Sequence, residues 1–182
     1  MNAAVSAFNN MYNMESVAGV MQAAAETGNS VMFQRRNRLA DTAFGSFIAS
    51  AIKEVIGQLS PPAVFHFDHG SGAPQILRAL RFGAAGVMID ASTLPLGQNI
   101  AGTGEIVELC SECNVSRAGE LGHVGAAADE KMSDYTDVAE AARFAEATGV
   151  SALAVMVETA HGIYNRAPVL DIQRIRDLSA AP

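Results

Sequence analysis

Short apolar runs with strand-forming residues alternate with longer amphipathic stretches along the whole chain, and that alternation limits the fold more than any other feature. Strands are expected at 3–9, 30–34, 63–69, 86–92, 116–121 and 152–157. Helical spacing fills the gaps. In 14–27, Val17, Val20, Met21 and Ala24 share one side and Gly28 stops the helix. Asp41 is placed to cap a helix carrying Phe44, Phe47, Ile48, Ala51, Ile52 and Val55. Pro61 and Pro62 break the chain before the third strand. Further helices are expected at 73–82, 97–112, 137–148 and 170–178, with a mobile loop at 122–136.

Repeating β–α units of about 30 residues imply parallel strands joined by right-handed helical crossovers. The strands are apolar on both faces, as a sheet covered on both sides requires. An open doubly wound sheet and a (β/α)8 barrel both satisfy this pattern. No strand runs into a G-x-G-x-x-G turn, so a dinucleotide site lacks its main support. The fifth strand is the weakest, because Arg117, Gly119 and Glu120 are poor interior strand formers.

Composition excludes some classes of function. At 49% hydrophobic residues the chain is too apolar for disorder, yet no stretch of twenty apolar residues suggests a membrane span. A net charge of -7 argues against nucleic acid or an anionic membrane as the main partner. The first residues lack a basic patch followed by an apolar run, so no secretory signal is expected. Cys110 and Cys113 form a lone C-x-x-C without a second pair, which leaves a zinc knuckle unsupported. They read as buried free thiols on a helix face with Ile106, consistent with a reducing cytoplasm, with a redox pair as the alternative reading.

The third strand ends in His66, Phe67, Asp68, His69 and Gly70. Apolar β-formers bury well, but imidazoles and a carboxylate beside them do not unless something binds them. The carboxyl end of a parallel strand is where chemistry is usually placed. Asp90 and Glu120 end two later strands, and His161 follows a sixth. His123 reads as a solvent-exposed or structural histidine.

Four blocks then stand in order: AFNNMYNMES; HFDHGSG with ALRFGAAGVMIDASTLPLGQNI; AGELGHVGAAAD; and TGVSALAVMVETAHGIYN. Together they resemble the class II, zinc-dependent ketose-bisphosphate aldolases of the fructose or tagatose type. The resemblance spans nearly the whole chain and implies an α/β fold of (β/α)8 barrel type. About six of eight β–α units would lie in one domain over residues 1–182. It implies Asp68 as the proton-transferring residue, His69 and His161 as zinc ligands, and Gly162 as backbone for a substrate phosphate. His66 would stand behind the ligands or pack, Asp90 would orient a ligand or cap a helix, and Glu120 would support or join the ligands or be a plain polar residue. The family's third zinc histidine and its Gly/Ser phosphate loop belong to the seventh and eighth units, beyond Pro182.

The implied reaction is reversible aldol cleavage of a ketose 1,6-bisphosphate to dihydroxyacetone phosphate and glyceraldehyde 3-phosphate, in carbohydrate metabolism such as glycolysis. The implied protein is a cytoplasmic homo-oligomer without nucleic-acid or membrane partners. Three departures favour a truncated or degenerate copy, or a non-catalytic aldolase-like subunit. Gly125, Ala126, Ala127, Ala128 and Asp129 replace the polar residues that usually serve the enediolate carbon. Glu158 stands where the family usually has glycine, and its charge would repel a phosphate. The last two units are missing. An unrelated open α/β binding fold would need all four blocks to match by chance.

Overall fold

The computed structural model describes residues 5–8, 10–37, 42–122, 135–160, 164 and 167–181. They fall into two compact units, Met1–Ile89 with Cys110–Ser116, and Asp90–Leu109 with Arg117–Pro182.

The first unit is a four-stranded parallel sheet with helices between its strands. It runs β1 (Val5–Phe8), α1 (Met14–Thr27), β2 (Ser30–Arg36), α2 (Ala43–Gln58), β3 (Ala63–Gly70), α3 (Ala73–Arg81) and β4 (Gly86–Ile89). The strands are neighbours in chain order, with Phe8 beside Phe33, Phe33 beside Phe65, and Phe67 beside Val87. On β2, Val31, Phe33 and Arg35 are buried while their neighbours are half-buried, the period of two that a pleat imposes. Phe33, Ile52, Ile76 and Val17 are almost wholly removed from water. Burying a side chain of that kind contributes about 1.5–3 kcal/mol relative to leaving it exposed.

Local signals set the helix ends. The Asn13 side chain accepts from the Ser16 amide at 2.9 Å and the Asn13 amide donates to the Ser16 hydroxyl, a reciprocal cap for α1. α1 stops at Gly28, whose φ of 68° suits glycine and lets its amide reach the Ala24 carbonyl. α2 is capped by Thr42; Asp41, the expected cap, lies outside the described residues. Cys110 is buried in this unit, and the Ser116 amide donates to the Ala85 carbonyl at 3.0 Å. Cys113 is exposed, so only one thiol of the pair follows expectation. The helix expected to carry both ends at Leu109.

The second unit contains α4 (Leu96–Leu109), β5 (Ser116–Leu121, from Arg117 on), α5 (Val138–Thr148), β6 (Ala152–Val155) and α6 (Ile172–Ala180). β5 and β6 are parallel, with Gly119 beside Leu153 and Glu120 beside Ala154. Leu121, Ala141 and Phe144 form its core, with Leu96, Ile100, Val150, Leu153 and Leu178 packed around them. Gly119 belongs in this strand for a steric reason. A Cβ there would sit 3.0 Å from a Phe144 ring carbon and 3.2 Å from the Thr103 methyl. Asp137 and Asp171 cap α5 and α6 through side-chain oxygens. The end of the expected 122–136 loop is anchored: Thr136 is buried, donates to the Leu121 carbonyl at 2.7 Å and accepts from the Met156 amide at 2.8 Å.

The α/β class stands, but the expected barrel of six out of eight units is corrected to five units. β4 belongs to the first compact unit and α4 to the second. Among the described residues, the strand–helix pairs that lie together in one unit are β1–α1, β2–α2, β3–α3, β5–α5 and β6–α6. The last is thinly packed, since neither β6 nor α6 has a fully buried residue. Sequence periodicity counts elements; it does not register which of them pack together.

Candidate functional site

In the first unit the end of β3 gathers His66, Asp68 and His69. The pairing of β3 with β4 runs from His66–Gly86 and Phe67–Val87 directly to Gly70–Ile89. Asp68 and His69 therefore stand opposite the single residue Met88, which makes a β-bulge. In a regular strand, neighbours 68 and 69 would face opposite sides of the sheet. At the bulge, His69 turns into the left-handed region, with a φ of 50°, and its Nε2 comes 3.7 Å from Asp68 Oδ2. Both side chains are about nine-tenths buried. A left-handed non-glycine residue costs about 1–2 kcal/mol, a strain that persists where the surroundings enforce it.

Two glycines make this geometry fit. A Cβ on Gly70 would lie 2.7 Å from Ile76 and 2.9 Å from the Met88 carbonyl, so only glycine passes. A Cβ on Gly86 would lie 2.5 Å from His66 Nδ1, so the His66 ring occupies the space that a side chain at 86 would need. Burial lowers the His66 pKa; Asp68 pulls it back up and His69 pushes it further down. Asp90 directly follows Ile89, the register partner of Gly70.

In the second unit, Asp90 and Glu120 are joined through a residue that the sequence did not single out. The Ser92 hydroxyl donates to Asp90 Oδ1 at 2.7 Å and lies 3.1 Å from Glu120 Oε1, while the Ser92 amide also donates to Asp90. The Glu120 carbonyl accepts from Asn99 Nδ2 at 2.8 Å, and Asn99 Oδ1 accepts from the Thr103 hydroxyl. Asn99, Thr103 and Glu120 are all buried. One buried and one half-buried carboxylate about a shared hydroxyl are a donor set that suits a cation.

Glu158 is also left-handed, with a φ of 68°. Its carboxylate is engaged: Oε2 accepts a short hydrogen bond from the Tyr135 hydroxyl, which raises the Tyr135 pKa. The Arg174 guanidinium lies 5.1 Å from the Tyr135 ring centre, donates to the Thr136 carbonyl and pairs with Asp171 at 3.5 Å. The Tyr164 hydroxyl accepts from the Ala160 amide and donates to the Ala160 carbonyl.

Thus His66, Asp68 and His69 gather at one strand end, and Asp90 and Glu120 gather about Ser92. His123, the 125–130 segment, His161 and Gly162 lie outside the described residues. Ser92, Asn99 and Tyr135 were missed. The signals for the first two were weak: a serine two residues after Asp90, and a polar residue in an otherwise apolar helix face. For Tyr135 no sequence signal exists.

The first unit is a parallel α/β body with ionisable residues gathered at a bulged strand end. The profile of the family described as "Fructose-bisphosphate aldolase class-II" matches residues 1–182, and the chain belongs to that family. It is similar to the solved YdjI aldolase from Escherichia coli K12, with 28% identity and a TM-score of 0.85, over 97% of this chain and 63% of that one. A putative fructose-1,6-biphosphate aldolase from Coccidioides immitis shares the fold at 24% identity and a TM-score of 0.85, over 98% of this chain and 64% of that one. Fructose-bisphosphate aldolase from Campylobacter jejuni does so at 19% and 0.71, over 96% and 59%. The chain thus spans less than two thirds of the length of each.

Proposed function

We propose that the chain acts in zinc-dependent aldol cleavage of a phosphorylated ketose, of the fructose or tagatose 1,6-bisphosphate type. The observation that carries the reading is the bulge that turns Asp68 and His69 to the same end of β3. In this reading His69 and His161 hold the metal, with Asp90 and Glu120 as supporting carboxylates. The donor set fits: zinc accepts imidazole nitrogen and carboxylate oxygen. When bound, zinc supplies Lewis-acid stabilisation of negative charge on the substrate's ketone oxygen.

Asp68 takes the proton from the hydroxyl next to the scissile bond in cleavage and returns it in condensation. Its burial keeps competing water away and its bulge position fixes its direction. His66 stays neutral under the lowering effect of burial and packs over Gly86 as a wall of the site. Gly162 offers backbone to a phosphate. The reading includes a single aldolase-like domain over 1–182 and a homo-oligomer working in the cytoplasm. Among the described residues no helix is long and apolar enough to cross a membrane.

The test joins metal analysis to an assay. The purified chain should bind zinc and cleave fructose or tagatose 1,6-bisphosphate above a metal-free blank. His69→Ala and His161→Ala should each lower zinc content at least tenfold. Asp68→Asn should keep the zinc and lose 100-fold or more of the rate. A chain that holds zinc but turns over neither sugar leaves the non-catalytic subunit, which the carboxylate of Glu158 at the family's glycine position favours.

A further inference from the structure

On the opposite face of β3 from His66 and Asp68, the packing contains an incomplete charge. Arg35 lies on the helix-facing side of β2 with Val31 and Phe33, and only 4% of it is exposed. Its Nη1 donates a short hydrogen bond to the Gly45 carbonyl. Its Nε and Nη2 have no hydrogen-bond partner among the described residues. A guanidinium stays protonated in proteins, and an unpaired buried cation costs several kcal/mol. Burial accordingly pushes the Arg35 pKa down.

The helix beside it makes the imbalance worse. Gly45 is the third residue of α2, and the first turn of α2 has no acidic side chain. The amino end of a sixteen-residue helix carries partial positive charge, which repels a cation and attracts an anion. Arg35, Ser46, Phe65, Phe67, Gln75 and Arg78 line a cavity of about 20 Å³ at this point. One water-sized occupant needs about 10–15 Å³ on this measure. The space therefore admits a monatomic ion.

We propose that this cavity binds a small monovalent anion of the halide class, held between the Arg35 guanidinium and the first turn of α2. The ion supplies the acceptor that Nε and Nη2 lack and complements the helix end. The site is independent of the aldol chemistry, because Phe65 and Phe67 separate it from the face that carries His66 and Asp68. Its role is to let a buried arginine persist in the first unit.

Two measurements on the full chain test it. Thermal unfolding is followed while sodium chloride replaces sodium gluconate at constant ionic strength. Above the dissociation constant, each tenfold rise in chloride should raise Tm by about 3–6 °C. Arg35→Met should reduce that slope to under about 1 °C. An equal slope in the variant, or a flat response in the unaltered chain, overturns the proposal. Because Arg35→Met could fail to fold, crystals of the unaltered chain soaked in sodium bromide provide the second measurement. An anomalous peak beside Arg35 Nε and Nη2 supports the site; a cavity without one overturns it.

Discussion

At the scale of single residues, the molecule departs from ordinary backbone at residues of the candidate site. His69 holds a φ of 50° at the bulge, and any side chain at this position inherits that cost. Glycine does not. His69→Gly should therefore be more stable than His69→Ala by about 1 kcal/mol in urea unfolding, although both lack the imidazole. Equal midpoints would show that the left-handed turn stores no strain. His66 and Gly86 are coupled by the 2.5 Å that a Cβ would leave between them. Gly86→Ala should cost about 1–3 kcal/mol, and adding His66→Ala should recover part of it in a double-mutant cycle. Glu158 gives the same lesson about reading family patterns. The sequence presents it as a charge where glycine is usual, and the backbone explains the glycine: the position needs a left-handed turn.

At the scale of elements, helices differ in how they are held. α5 is fixed by Phe144, which packs against Gly119 and in the core with Leu121 and Ala141. α6 buries no residue completely and relies on Leu178 and on Arg174, which reaches the Thr136 carbonyl and the Tyr135 ring. Arg174→Ala should speed amide exchange across α6 several-fold while leaving β2 and β3 protected. Uniform loss of protection would contradict a local tether. Strand and helix positions were legible because apolar periods of 2 and 3.6 leave a direct trace in sequence. β5 was legible as weak, but its glycine proved to be a packing requirement set by Phe144, a residue twenty-five places away (144 against 119). The bulge was not legible. It depends on register against β4, and nothing within HFDHG fixes how many residues the neighbouring strand will supply.

At the scale of the whole molecule, acid should unfold the protein partly through His66. Burial depresses its folded pKa below the ordinary value near 6.5, so the unfolded chain binds the proton more readily. The stability from keeping it neutral is present above pH 6.5 and is lost as pH falls through the folded pKa. Between those limits, His66→Asn should have a shallower decline of unfolding free energy with acidification than the unaltered chain. The fold class could be read from the alternation of elements, whereas their partition into two compact bodies could not, because contacts between distant residues decide it. The carboxylates of the candidate site were visible as residues, but the Ser92 hydroxyl between them was not.

The partition has a consequence for how the protein is made. The first body comprises 1–89 and 110–116, so neither body is one uninterrupted stretch of chain. No single cut in the gene would yield either of them intact. On the ribosome, the first body must also wait: β4 emerges with residue 89, but Cys110 is translated twenty-one residues later and the Ser116 amide that closes onto Ala85 twenty-seven residues later. A stalled nascent chain ending near 100 should leave that body open, and one extended past 116 should not, once the exit tunnel's length is allowed for in both.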